Sequence, residues 1–171
     1  MWTLGKRSIE VLESGLHDDL IKIIKVATES SPIDFTLTDG VRTQEEQHKL
    51  WQIGRTYSNA GGLPRTNPQA WIKTGGVVTY CDGYHKQSNH QKKADGFGYA
   101  IDVSAYIPGR PDLRYDKAHM MVLVGSFLTI GKWLHGQGKI EHQLRSGADW
   151  DRDTQFLEPG TFIDMPHLEL R

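Results

Sequence analysis

Leu16, Leu20, Ile24 and Ala27 recur at the spacing of one helix face, with Asp18, Asp19, Lys22 and Lys25 on the other side. The pattern predicts an amphipathic helix with acids at its N-terminal end, where the macrodipole favours them. A polar arm around residues 7–13 precedes it, and Ser30, Ser31 and Pro32 stop it. Ile33, Phe35 and Leu37 alternate with polar residues and predict a strand. Gly40 turns the chain, and Thr43 followed by Glu46 has the capping-box spacing of a new helix, with Leu50, Trp51 and Ile53 as its expected buried side. Residues 54–76 are rich in Gly, Asn, Pro and Thr, with Trp71 as their anchor. A loop of that length inside a domain is usually functional or mobile.

Residues 77–80 and 99–106 read as short β-type runs. Asp116 is placed to cap a long helix through Leu134, apolar on most faces and therefore expected in the core, which His135-Gly-Gln-Gly138 ends. Ile140, His142 and Leu144 alternate again, and residues 146–153 are polar around Trp150. His167, Leu168, Glu169 and Leu170 close the chain as a strand, with period two putting His167 and Glu169 on one face and the leucines on the other. Helices and strands mix without a βαβ rhythm, so the expected fold class is α+β, with residues 1–171 as one domain.

Composition narrows the function. At 37% hydrophobic and 24% charged residues, the 171-residue chain can bury one substantial core and is not a disordered type. A net charge of −1 gives no reason to expect nucleic acid or anionic lipid as a partner. Cys81 is the single cysteine, so no internal disulfide is possible. The N-terminus lacks the apolar core of a signal peptide. Residues 120–134, interrupted by Ser126, Thr129 and Lys132, are too short to span a bilayer. A cytoplasmic product is expected.

The chemistry concentrates in residues 88–102, Ser-Asn-His-Gln-Lys-Lys-Ala-Asp-Gly-Phe-Gly-Tyr-Ala-Ile-Asp, and in Asp164-Met-Pro-His167. His90, Asp102 and His167 make two imidazoles and one carboxylate, a three-ligand zinc set that leaves a fourth position for water, as in catalytic sites. One anionic ligand leaves net positive charge, which lowers the pKa of bound water. Asp164 is spaced to take that water's proton and pass it to a departing amine. Its competing role is to orient His167. Arg42 is the candidate for stabilising the oxyanion, with a surface ion pair as the plain alternative. His85, His119, His135 and His142 read as surface or satisfied core residues, Trp51, Trp133 and Trp150 as packing residues, and Cys81 as a small filler.

Those motifs resemble the zinc D-alanyl-D-alanine and L-alanyl-D-glutamate peptidases, particularly the phage endolysins that cut L-alanyl-D-glutamate bonds in peptidoglycan. The resemblance runs through residues 8–20, Asp34-Phe35, Gly40-Val-Arg42-Thr43, Ser88-Asn-His90, Gly98-Tyr-Ala-Ile-Asp102, Gly147-Ala-Asp-Trp150 and Phe162-Ile-Asp164-Met-Pro-His167. It implies a small fold of the hedgehog-type zinc-domain kind, an antiparallel sheet flanked by helices. It also implies one zinc ion per chain on His90, Asp102 and His167, Asp164 as base and acid, and Arg42 on substrate or oxyanion. Ser88 and Gln47 would help position the stem peptide. The spacing of twelve residues from His90 to Asp102 exceeds the family's seven, which makes Asp95 a rival ligand and places Lys92 and Lys93 as candidate cleft residues.

By the same resemblance the protein is expected to be a monomeric peptidoglycan hydrolase without a separate wall-binding module or membrane insertion. It would accumulate in the host cytoplasm and reach the wall through another factor. A D-alanyl-D-alanine dipeptidase or carboxypeptidase, and a non-catalytic zinc-binding module, are the alternatives.

Overall fold

A computed structural model describes residues 1–55, 76–110, 113–157 and 162–171. Along the chain run α1 (Lys6–Leu12), α2 (Asp18–Ser30), β1 (Phe35–Asp39), α3 (Gln44–Trp51), β2 (Ala100–Ala105), α4 (Lys117–Gly136), β3 (Leu144–Gly147) and β4 (Asp164–Leu170). The strands form one antiparallel sheet in the order β1-β2-β4-β3, so the fold is α+β.

Strand alternation divides the sheet into two chemically different faces. Phe35 lies opposite Ala105, Leu37 opposite Val103 and Ile101 opposite Leu168, so these side chains share a face with Leu170. That face is buried against Leu20, Ile23 and Ile24 of α2 and Met120, Leu123 and Phe127 of α4. Phe35 meets Phe127 edge to face at 5.1 Å. Each such side chain taken fully from water contributes about 1.5–3 kcal/mol. The other face carries Asp102, His167 and Glu169, on the same strands that the core holds rigid.

Local signals set the element ends. The His17 imidazole accepts the Asp19 N–H at the start of α2, Thr43 and Glu46 form the expected reciprocal box on α3, and Asp116 caps α4. Gly138 adopts φ +66°, the left-handed conformation that ends a helix at little cost to glycine.

Several expectations are corrected. The polar arm is helix α1, and its buried Ser8 hydroxyl accepts the Leu37 N–H at 2.9 Å, satisfying a donor on the edge strand β1. Its seven residues follow Gly5, an N-cap without a side-chain hydrogen bond, so little in the sequence announces the helix. The buried residues of α3 are Gln47 and His48, while Leu50, Trp51 and Ile53 are half-buried. Residues 77–80 form no strand, because side chains hold them instead: Gln47 donates to Thr79 Oγ1 and Arg55 to the Thr79 carbonyl. Trp133 is half exposed, with the Lys139 ammonium 4.7 Å above its ring, rather than packed in the core. The reading of residues 54–76 as a loop anchored by Trp71 falls on residues 56–75, outside the described residues. Among the described residues no helix is long and apolar enough to cross a membrane.

Candidate active site

Asp102 of β2 and His167 of β4 are directly paired across the antiparallel ladder. Their side chains leave the same face, and Asp102 Oδ1 stands 3.3 Å from His167 Nδ1. His90 arrives from a turn in which the Gln91 carboxamide accepts the Ser88 N–H and the Ser88 hydroxyl accepts the His90 N–H. The His90 carbonyl accepts the Arg42 N–H at 2.9 Å, which ties this turn to the end of β1. His90 Nε2 then lies 3.1 Å from His167 Nδ1 and 3.2 Å from Asp102 Oδ1.

The outer hydrogen bonds decide what these atoms can do. A carbonyl only accepts, so the 2.7 Å contact from His90 Nδ1 to the Gly40 carbonyl puts the proton on Nδ1 and a lone pair on Nε2. His167 Nε2 faces Glu169 Oε2 at 3.1 Å, which likewise leaves the Nδ1 lone pair inward. Two imidazole lone pairs and a carboxylate oxygen thus converge. Ligand atoms on a tetrahedral zinc ion stand about 3.4 Å apart, given bonds of about 2.0–2.1 Å. The three separations and the donor set fit such an ion.

Charge points the same way. Burial opposes ionisation of Asp102, yet the neighbouring His90 and His167 hold its carboxyl well below the ordinary range. Burial opposes a proton on His167, but its bonds to Asp102 and Glu169 push the imidazole up to about 9 when a proton is the only available cation. Burial also opposes ionisation of Glu169, but His167, Arg145 and Asn89 bring it down to about 2. Negative charge is concentrated where a divalent cation would sit.

Around these atoms opens a cavity of about 880 Å³, lined among others by Arg42, Ser88, His90, Asp102, Asp164 and His167. Asp164 lies opposite Gly147 between β4 and β3. Burial and the adjacent Asp102 charge raise its carboxyl pKa, the direction a proton acceptor near neutrality needs. The competing role of orienting His167 is filled by Glu169.

Arg42 is placed differently from the oxyanion expectation. Its Nε meets Asp39 at 2.8 Å, Nη2 meets Asp102 Oδ2 at 2.7 Å, and Nη1 meets the Gln47 carbonyl oxygen at 3.3 Å. It braces the Asp102 carboxylate. Gln47 is fully buried and also donates to Thr79 and the Cys81 carbonyl, so it supports Arg42 rather than facing the cavity. The Ser88 hydroxyl is turned to the His90 backbone.

The rival ligand Asp95 is exposed, accepts from Tyr99 and the Phe97 N–H, and is not among the grouped ligand atoms. Lys92 lies against Gly15 and Lys93 reaches toward the Ser88 carbonyl, and neither lines the cavity.

Sequence reading missed Glu169, Asn89 and Arg145. Glu169 is buried and holds His167 through Oε2, while Asn89 donates to that same oxygen and Arg145 to Oε1. The signal available was the period-two placement of Glu169 beside His167. Two other groups of potential ligands occur among the described residues, His17 with Asp19 and His142, and Asp149 with Asp151 and Asp153.

No protein-family model matches the chain. It is 27% identical over 156 residues to the peptidoglycan L-alanyl-D-glutamate endopeptidase CwlK of Bacillus subtilis (strain 168), with 86% of this chain and 66% of that protein covered. The chain therefore spans somewhat under two thirds of that relative's length. The crystal structure of the Serratia marcescens L-Ala D-Glu endopeptidase ChiX superposes with a TM-score of 0.57 at 20% identity, covering 97% of this chain and 87% of the other. That likeness shows a shared fold.

Proposed function

We propose that this chain is a member of the L-alanyl-D-glutamate peptidase family and acts as a zinc-dependent peptidoglycan hydrolase. The bond cut is the L-alanyl-D-glutamate linkage of the stem peptide. The observation that carries the reading is the convergence of three potential metal-ligand atoms, on His90, Asp102 and His167, beside the carboxyl group of Asp164 in one cavity.

Zinc bound there would polarise the scissile carbonyl and acidify a water molecule. The chain's own residues do the rest. Asp164, with its raised pKa, accepts the water's proton and returns it to the departing D-glutamate nitrogen. Glu169 and the Gly40 carbonyl fix the two imidazole tautomers, so both rings present lone pairs without rearrangement. Arg42 holds the outer oxygen of Asp102, which leaves Oδ1 beside the two imidazoles, where it would serve a bound zinc. Residues 1–171 serve as one catalytic domain in this reading, and Ser88 contributes by shaping the His90 turn.

Digestion of purified peptidoglycan by the zinc-loaded protein tests the proposal. Newly exposed N-terminal D-glutamate is the expected product. Released D-alanine or D-alanyl-D-alanine would move the activity to the dipeptidase or carboxypeptidase class, and zinc binding without hydrolysis would leave a binding module.

A further inference from the structure

Three aromatic rings line the same cavity and lead away from the candidate metal centre. Trp150 lies 5.2 Å from the His167 ring, Phe162 lies 6.4 Å from Trp150, and Tyr80 lies 5.3 Å from Phe162. All three belong to the cavity lining. Tyr80 is 59% exposed, an unusual position for a large ring whose neighbour Phe162 offers an apolar edge. Arg55 braces Tyr80 from 5.9 Å and is itself held by the Thr79 carbonyl. Single exposed aromatics are ordinary on protein surfaces. Here half-buried Trp150, over which the Arg145 guanidinium lies at 4.9 Å, half-buried Phe162 and exposed Tyr80 make a strip along one cleft wall starting beside His167, the kind of lining that takes a ligand.

The chemistry of the proposed substrate says what could lie there. The L-alanine of the scissile bond is joined through its nitrogen to the lactyl group of a muramic acid. One extended residue spans about 3.6 Å, and the lactyl ether adds about as much again, so the first sugar ring begins roughly 7–10 Å from the scissile carbonyl. With the stem peptide running so that its L-alanine side faces Trp150, a ring at that distance would fall beside Trp150 and Phe162, and the next sugar of the strand beside Tyr80. Aromatic faces carry partial negative charge, which attracts the polarised C–H groups of a pyranose. We propose that Trp150, Phe162 and Tyr80 form a glycan subsite, so that the protein selects stem peptides still attached to their sugar. This rests on the L-alanyl-D-glutamate endopeptidase reading.

The test compares two substrates of identical peptide sequence, one carrying the muramyl disaccharide on L-alanine and the other an N-acetyl group. The zinc-loaded full chain should show kcat/KM higher on the glycan-bearing substrate by about tenfold, the scale of one good aromatic contact. Tyr80→Ala and Phe162→Leu should each erode that preference while cutting the N-acetyl peptide at close to the parent rate. Equal rates for the parent on both substrates overturn the subsite and leave the endopeptidase intact. So does a Tyr80→Ala variant slowed equally on both. Failure of the parent to cut either substrate overturns the endopeptidase reading and the subsite together.

Discussion

Two clusters in this molecule have the same composition, two histidines and one aspartate with potential ligand atoms within 4.8 Å of one another. In the first, His90, Asp102 and His167, the outer ring nitrogens are held by the Gly40 carbonyl and Glu169, which turns His90 Nε2 and His167 Nδ1 toward each other and toward Asp102. In the second, His17, Asp19 and His142, the polar atoms satisfy each other. Asp19 Oδ2 accepts the backbone N–H groups of Glu141 and His142 at 2.9 and 3.1 Å and faces His142 Nδ1 at 2.9 Å. His17 Nδ1 accepts the Asp19 N–H. The second cluster is a clamp between α2 and the segment leading into β3. Residue types do not distinguish the two. The outer hydrogen-bond partners do.

The largest effects should come from the first cluster. His90→Ala is expected to abolish both zinc binding, measured by metal analysis, and hydrolysis. Asp164→Ala should retain its zinc yet lose about 10²–10⁴-fold in kcat. Near-normal turnover in that variant would remove Asp164 from the mechanism. Glu169→Ala, which touches no substrate in this scheme, should weaken zinc affinity by about 10–100-fold in competition with a chelator.

The second cluster should respond in stability instead. Asp19→Asn is expected to cost about 1–3 kcal/mol in denaturant unfolding, because buried donors lose a charged acceptor. Its zinc content should not change, and a loss of zinc there would make the two clusters alike after all. Burial raises the Asp19 pKa, but its bonds to His142 and Glu141 outweigh that and bring it below 3.8. A lowered folded pKa means the stabilisation is complete above the unfolded value and disappears as pH falls through the folded one. The gap between parent and Asp19→Asn should therefore be full above about pH 5 and close below the ordinary aspartate range. The smallest effect belongs to the rival carboxylate: Asp95→Ala should leave metal content unchanged, in contrast to the loss expected of Asp102→Ala.

Much of this was legible beforehand because short-range rules governed it. The α2 stripe, the Thr43 box, the Asp116 cap and the alternation of His167 with Leu168 each depend on neighbours a few residues away. What escaped depends on partners distant in sequence. Asn89 reaches Glu169 across eighty positions, and Gln47 finds the Cys81 carbonyl across thirty-four. Nothing local marks Gln47 as buried, and the family resemblance reads it as a substrate contact. Arg42 was noticed for its permanent charge, but which carboxylates surround it is settled only when β1 pairs with β2.

The pairing of Asp102 with His167 across the ladder carries a consequence for assembly of the protein. Side chains alternate between faces, so sliding β4 by one residue against β2 would drive His167 into the oily interior and bring a leucine out in its place. A chain that closes its sheet wrongly would therefore have no candidate metal centre at all, rather than a distorted one. Quality control is built into the strand register.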